Sequence, residues 1–149
     1  MPFRIVKEIE KIKDDKDIRI ISHDENYSNI LAEIRGPIDS PYENGKFQLK
    51  IVIPQEYPFV PPKVKFETLV WHPNISSVTG AICIDILKDG WSPALSIYSV
   101  LISLQSLLNE PVPEDPQDAV VASQYLNNHE EFVKTAQSWV QIYATKIEN

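Results

Sequence analysis

A chain of 149 residues with 43% hydrophobic and 23% charged residues can bury one substantial core, and its composition excludes a disordered or fibrous protein. Its net charge of −7 argues against nucleic acid as a partner, since phosphate backbones are held by excess Lys and Arg. No apolar run is long enough to span a bilayer and no secretory signal opens the chain, so no membrane association is expected. Its single cysteine, Cys83, cannot form an internal disulfide and fits a reducing compartment, cytoplasm and nucleus.

Pro2 suits the first position of a helix, and Phe3, Val6, Ile9 and Ile12, with Ile5 beside them, predict its apolar stripe. Three alternating runs follow. Ile18 to Ile21 is short, Ile30, Ala32 and Ile34 share one face, and Phe47, Leu49, Ile51 and Ile53 share another. Asn44-Gly45 between the last two is a hairpin signal, and Val64 with Phe66 suggests a fourth strand. Short consecutive strands predict an antiparallel meander. The stretch from Pro54 to Pro62 holds four prolines and excludes regular structure. Residues 72–91 lack sustained periodicity and read as a long ordered loop, a feature that compact domains keep for function.

The period then changes. Ile97, Val100, Leu101, Leu104, Leu107 and Leu108 predict a central buried helix, capped by Ser96 and stopped by Pro111. A short helix is expected from about Pro116 to Leu126, with Asp115-Pro116 as one reading of its cap and first turn. A final helix carries Phe132, Val133, Ala136, Trp139, Val140, Tyr143, Ala144 and Ile147 on one face. Asn128 and Glu131 form its expected capping box. The predicted class is α+β: a four-stranded antiparallel meander sheet with an N-terminal helix, a central buried helix and two C-terminal helices, one domain over residues 1–149.

Charge is unevenly spread. Asp89, Glu110, Glu114, Asp115, Asp118, Glu130 and Glu131 fall in a stretch without Lys or Arg, which by itself carries the net −7. An acidic face of this kind attracts amine nucleophiles, although an ordinary solvated surface explains most such charges. The opening helix is locally basic, with Arg4, Lys7, Lys11 and Lys13 against Glu8 and Glu10.

A lone thiol is most often a small apolar core residue. What distinguishes Cys83 is His72-Pro73-Asn74, with Asn74 nine residues upstream. A carboxamide within folding distance of a thiol suits acyl transfer without a metal: the sulfur carries the acyl group and the amide N–H stabilises the oxyanion. Asn74 can instead brace the loop by bonding backbone, and both roles can coexist. A cysteine protease needs a committed Cys–His pair, and neither His23, His72 nor His129 stands out as that partner.

Together with Trp91-Ser92-Pro93-Ala94, these residues resemble the ubiquitin-conjugating enzyme family, the carriers between ubiquitin-activating enzymes and ubiquitin ligases. Gly36-Pro37 with Ser40-Pro41-Tyr42, Tyr57-Pro58-Phe59 with Pro61-Pro62-Lys63, and Asp115-Pro116 fall in the family's order, so the likeness covers roughly residues 3–145. Ile75 to Gly80 and Asp115 to Ala122 look most like the member in which a ubiquitin-associated domain follows the catalytic core; these 149 residues hold the core alone.

The resemblance implies that Cys83 takes ubiquitin as a thioester from the activating enzyme and passes it to a substrate lysine or a ligase cysteine. It implies Asn74 as oxyanion donor, Asp115 as the acid that orients the incoming lysine, and His72 and Pro73 as scaffold. Phe59, Pro93 and Ala94 would form the platform for RING or HECT ligases, with Arg4 and Lys7 steering partners by charge. No metal and no organic cofactor is implied, because ATP is spent upstream. Ser76 departs from relatives with a larger polar group near that point, and Ser92-Pro93-Ala94 departs from the nearest-looking member, so lysine steering and ligase choice can differ. The same fold also admits another ubiquitin-like modifier as cargo, a non-catalytic binding module, or, more remotely, a cofactor-free thiol hydrolase.

Overall fold

The computed structural model describes residues 2–145. Ile147 and the side chain of Phe3, both assigned above to apolar faces, lie outside the described set. In chain order the elements are α1 (Pro2–Ile12), β1 (Ile18–His23), β2 (Asn29–Arg35), β3 (Lys46–Val52), β4 (Lys63–Phe66), α2 (Ile97–Asn109), α3 (Ala119–Asn127) and α4 (His129–Tyr143). The strands pair antiparallel in the order β1-β2-β3-β4, the meander that their short links predict.

Register follows from burial. Ile30 faces Ile51, Ala32 faces Leu49 and Ile34 faces Phe47 across β2 and β3, and all six side chains are buried. A one-residue slip would turn every one of them to solvent, so this pairing is strongly specified. Ile97, Val100, Leu101, Leu104, Leu107 and Leu108 of α2 are buried in the same core. Ser96 caps α2 through a reciprocal pair with Ser99, which fixes where the helix starts.

Several boundaries differ from expectation. The buried face of α1 is Ile5, Glu8 and Ile12; Val6 and Ile9 are only half-buried. Ile5 is therefore the centre of the stripe, because the spacing 5, 8, 12 follows the helical repeat. Asn44-Gly45 closes a ten-residue connection, residues 36–45, instead of a tight hairpin. That connection folds inward: Tyr42 is buried and its hydroxyl donates to the Trp71 carbonyl at 2.6 Å. Asn44 still takes the left-handed conformation, with φ of 73°, that this residue type tolerates. β3 ends at Val52, one residue short of Ile53.

α3 begins at Ala119, and Asp118 caps it by accepting from the Val121 N–H. The cap is thus not Asp115. Asn128 caps α4 by accepting from the Glu131 N–H, but its own N–H closes α3 on the Gln124 carbonyl. The expected reciprocal bond from Glu131 has no donor left to meet, since Asn128 serves both helices.

Candidate active site

Two segments make the site. The first leaves β4, buries His72, Pro73 and Asn74, turns at Gly80 and returns through Cys83. Gly80 has φ of 80°, and a side chain there would collide with the Phe66 carbonyl, so glycine alone fits the turn. The Cys83 N–H donates to the Asn74 carbonyl at 2.9 Å, which seats the thiol beside the asparagine. A short 3₁₀ turn, Asp85–Leu87, and the bonds from Lys88 and Gly90 N–H to the Asp85 carbonyl then reverse the chain. The second segment, residues 110–118, follows α2 and crosses over the first.

Asn74 joins the two. It is 1% exposed, and its Nδ2 donates to the carbonyls of Val112 and Asp115, each at 2.9 Å, while its Oδ1 accepts from the Val112 N–H at 2.8 Å. Both amide hydrogens are occupied, so the carboxamide braces the loop. Serving an oxyanion would require one of these bonds to be given up.

His72 is fully buried. The Leu107 carbonyl can only accept, so Nε2 carries the hydrogen of that 2.7 Å bond, and Nδ1 accepts from the Asn74 N–H at 3.0 Å. Burial lowers its pKa from 6.5 to about 4, against the opposing pull of the Leu107 carbonyl. Below pH 6.5 the unfolded chain takes up a proton that the folded chain refuses until about pH 4. His72 therefore contributes stability that is full above pH 6.5 and lost on acidification, about 3 kcal/mol once pH 4 is passed. Urea unfolding at pH 7 and pH 5 checks this, and equal midpoints would contradict it.

Cys83 is 8% exposed. Its Sγ lies 3.6 Å from Asp115 Oδ2 and 3.5 Å from Lys88 Nζ, both from exposed residues. The thiol is thus buried between a carboxylate and an amine of two exposed residues, with no imidazole in contact among the described residues. The histidines are engaged elsewhere: His23 with the Asp24 carbonyl, His129 with the Tyr125 carbonyl, and His72 as above. A sulfur beside a carboxylate that can hold an amine is equipped for acyl transfer to nitrogen.

A second cluster lies on α1 and two proline-bounded loops. Phe59 is 79% exposed, and Pro93, Ala94 and Lys7 are exposed as well. Trp91 Nε1 donates to the Pro58 carbonyl at 2.8 Å, and Arg4 Nη2 donates to the carbonyls of Pro93 and Leu95, each at 2.9 Å. Arg4 therefore ties α1 to the second loop, and its Nε meets Glu8 at 2.9 Å. Glu8 is buried and also accepts from the Tyr57 hydroxyl and from the Ile97 N–H, each at 2.8 Å. Burial, then the Glu8 charge, pushes the Tyr57 hydroxyl far above its ordinary pKa, so it remains a donor.

Sequence reasoning missed Glu8, Lys88 and Asp118. Glu8 had a signal, since an acid three residues after Ile5 and four before Ile12 falls on the apolar stripe. Lys88 had none, because a loop lysine carries no periodicity to place it. Asp118 was hidden by Asp115, which satisfies the same capping rule.

Comparison with known proteins extends the argument to the whole chain. The family profile described as "Ubiquitin-conjugating enzyme" matches residues 4–140. "Ubiquitin-conjugating enzyme E2 27" of Arabidopsis thaliana is 52% identical over 96% of this chain and 76% of its own length. "Ubiquitin-conjugating enzyme E2 K" of Homo sapiens is 58% identical over 85% of this chain. The match spans 64% of that human protein, so the chain corresponds to part of it. Among solved structures, the E2 domain of a Toxoplasma gondii ubiquitin conjugating enzyme is 48% identical, covers 95% of this chain and 97% of that one, and superposes with a TM-score of 0.91. No helix among the described residues is long and apolar enough to cross a membrane. With sequence, fold and the segment holding Cys83 all shared, the chain belongs to the ubiquitin-conjugating enzyme family.

Proposed function

We propose that Cys83 receives ubiquitin from the ubiquitin-activating enzyme and transfers it to a substrate lysine or to a ligase cysteine. In loading, the Cys83 thiolate attacks the carbonyl of the enzyme-bound thioester and the donor's thiolate leaves. In discharge, a lysine amine attacks the new thioester, the Cys83 thiolate leaves, and the amine loses a proton toward Asp115. Exchange between sulfurs is nearly isoenergetic and amide formation runs downhill, so modest activation of the thiol suffices. The observation that carries this reading is the placement of the Cys83 sulfur 3.6 Å from the carboxylate of Asp115. This chain needs no metal or organic cofactor for these steps, since ATP is consumed by the activating enzyme. A reducing compartment, cytoplasm or nucleus, suits an enzyme that works through a free thiol.

The test is to incubate the protein with activating enzyme, ATP and ubiquitin, and in parallel with each of several ubiquitin-like modifiers. A reductant-sensitive adduct with ubiquitin is expected. An adduct formed only with another modifier would reassign the cargo, and none with any modifier would leave a binding module.

Phe59, Pro93 and Ala94 supply the ligase platform in this reading, with Arg4 and Lys7 on the helix beside it. An exposed ring on a pinned loop suits a small, transient interface. Phe59→Ala and Ala94→Asp are expected to charge normally and to lose about tenfold or more in ligase-stimulated discharge, the effect of removing an interface anchor. Because Phe59 is 79% exposed, its truncation should leave the melting temperature within about 2 °C of the parent. A larger drop would place the ring in the core.

A further inference from the structure

Asp118 is set apart from the other acids of its stretch by what it holds. Its Oδ2 accepts from both the N–H and the hydroxyl of Ser77, at 2.9 and 2.6 Å, while its Oδ1 accepts from the Val121 N–H at 3.2 Å. Its own N–H and that of Gln117 donate to the Pro73 carbonyl at 3.0 and 2.9 Å. Burial opposes ionisation, but the Ser77 and Val121 donors outweigh it and hold the carboxyl below its ordinary pKa. One carboxylate therefore starts α3 and, with its other oxygen, grips the loop that carries Asn74 toward Cys83. Asp115 lies between these anchors. Asn74 holds its carbonyl on one side and Asp118 fixes the chain three residues later.

We propose that Asp118 is a positioning residue for the transfer step, clamping the Ser77 loop to the start of α3 so that Asp115 stays beside the Cys83 sulfur. The proposal rests on the reading of Cys83 and Asp115 given under Proposed function. The physical reason is geometric. A group that takes a proton must stay within reach of it, and a shift of about 1 Å can cost on the order of a hundredfold in rate. Asp115 itself is exposed, so packing does not restrain it and its backbone anchors must.

The two carboxylate oxygens have different tasks, and substitution separates them. Asp118→Asn keeps an oxygen for the Val121 N–H, so the cap survives, but it turns an NH₂ toward Ser77, whose N–H can only donate. Asp118→Ala removes both. A clamp predicts that both variants charge with ubiquitin as the parent does and lose about tenfold in the maximal rate of discharge to free lysine, with the lysine concentration at half-maximum little changed. Ser77→Ala, which keeps the backbone N–H bond, should lose less. In an Asp115→Ala background, Asp118→Asn should slow discharge no further, since it acts through the missing carboxylate.

A merely structural cap predicts otherwise: Asp118→Asn would discharge normally and only Asp118→Ala would suffer. That result, or full additivity with Asp115→Ala, overturns the proposal. Amide hydrogen exchange on the uncharged proteins supplies a readout independent of ubiquitin. Asp118→Asn should speed exchange at Ser77 and Gln117 while sparing Val121, and unchanged exchange at Ser77 would overturn the clamp even if the parent never charges. Failure of the parent to charge would instead overturn the reading of Cys83, with the exchange result still deciding the clamp.

Discussion

Cys83→Ala is expected to abolish the ubiquitin adduct, and Cys83→Ser to replace it with one that survives reductant. Alanine removes the only atom that can carry the acyl group, and among the described residues no second cysteine exists to substitute. Serine keeps the position between Asp115 and Lys88, but its alkoxide is a far poorer leaving group than a thiolate. The oxygen ester should therefore form slowly, persist, and release little product to free lysine. Neither change should unfold the protein. The thiol is buried beside exposed side chains, and its deletion leaves a gap of about one sulfur atom, a loss of about 1 kcal/mol. Gel analysis with and without reductant checks the adducts, and thermal unfolding checks the fold. A reductant-labile adduct on Cys83→Ala would remove Cys83 from the mechanism.

Parts of the protein differ in how far the sequence exposes them. The alternation of β2 and β3 and the stripe of α2 are legible because each depends on one periodic face meeting one core. Ile30, Ile51 and Leu104 are buried for the reason their spacing suggests. Ser96 is legible for a similar reason, as a cap is a local bond between neighbours. Rules equally local do not decide the start of α3: Asp115-Pro116 and Asp118 both satisfy them, and the choice is made by Ser77 and the Pro73 carbonyl, some forty residues earlier. Asn44-Gly45 failed as a hairpin because the buried Tyr42 draws its loop inward, which a dipeptide cannot report.

Candidate residues for the site can be named from motif likeness, but their geometry cannot. The contact of Cys83 with Asp115 spans 32 positions, and that of Asn74 with Val112 spans 38. Neither has a period. Glu8 shows the same limit in the core, where an acid on an apolar stripe is explained only by donors from Arg4, Tyr57 and Ile97, on three different segments.

Asn74→Ala is expected to slow discharge to lysine by about a hundredfold or more, the size of effect seen when an oxyanion donor is lost, while loading falls far less. The structure adds a second consequence. Removing the carboxamide strips partners from the Val112 N–H and from the Val112 and Asp115 carbonyls. Each such group left unpaired in a partly buried setting costs about 1 kcal/mol or more, so the melting temperature should drop by several degrees. Bracing and catalysis are separated by working well below that transition and measuring each half-reaction alone. A pure brace predicts that loading and discharge fall together, because a loosened loop misplaces Cys83 for both attacks. A donor that swings one N–H from the Val112 or Asp115 carbonyl to the charged oxygen predicts a loss confined to discharge. Asn74→Asp sharpens the contrast. It keeps an acceptor for the Val112 N–H but turns an oxygen with no hydrogen to give toward the Val112 and Asp115 carbonyls, so it should brace no better than alanine and stabilise no oxyanion. Discharge as slow as in Asn74→Ala, with a melting temperature no higher, is the result expected. Recovery of discharge along with stability would assign Asn74 to the scaffold alone.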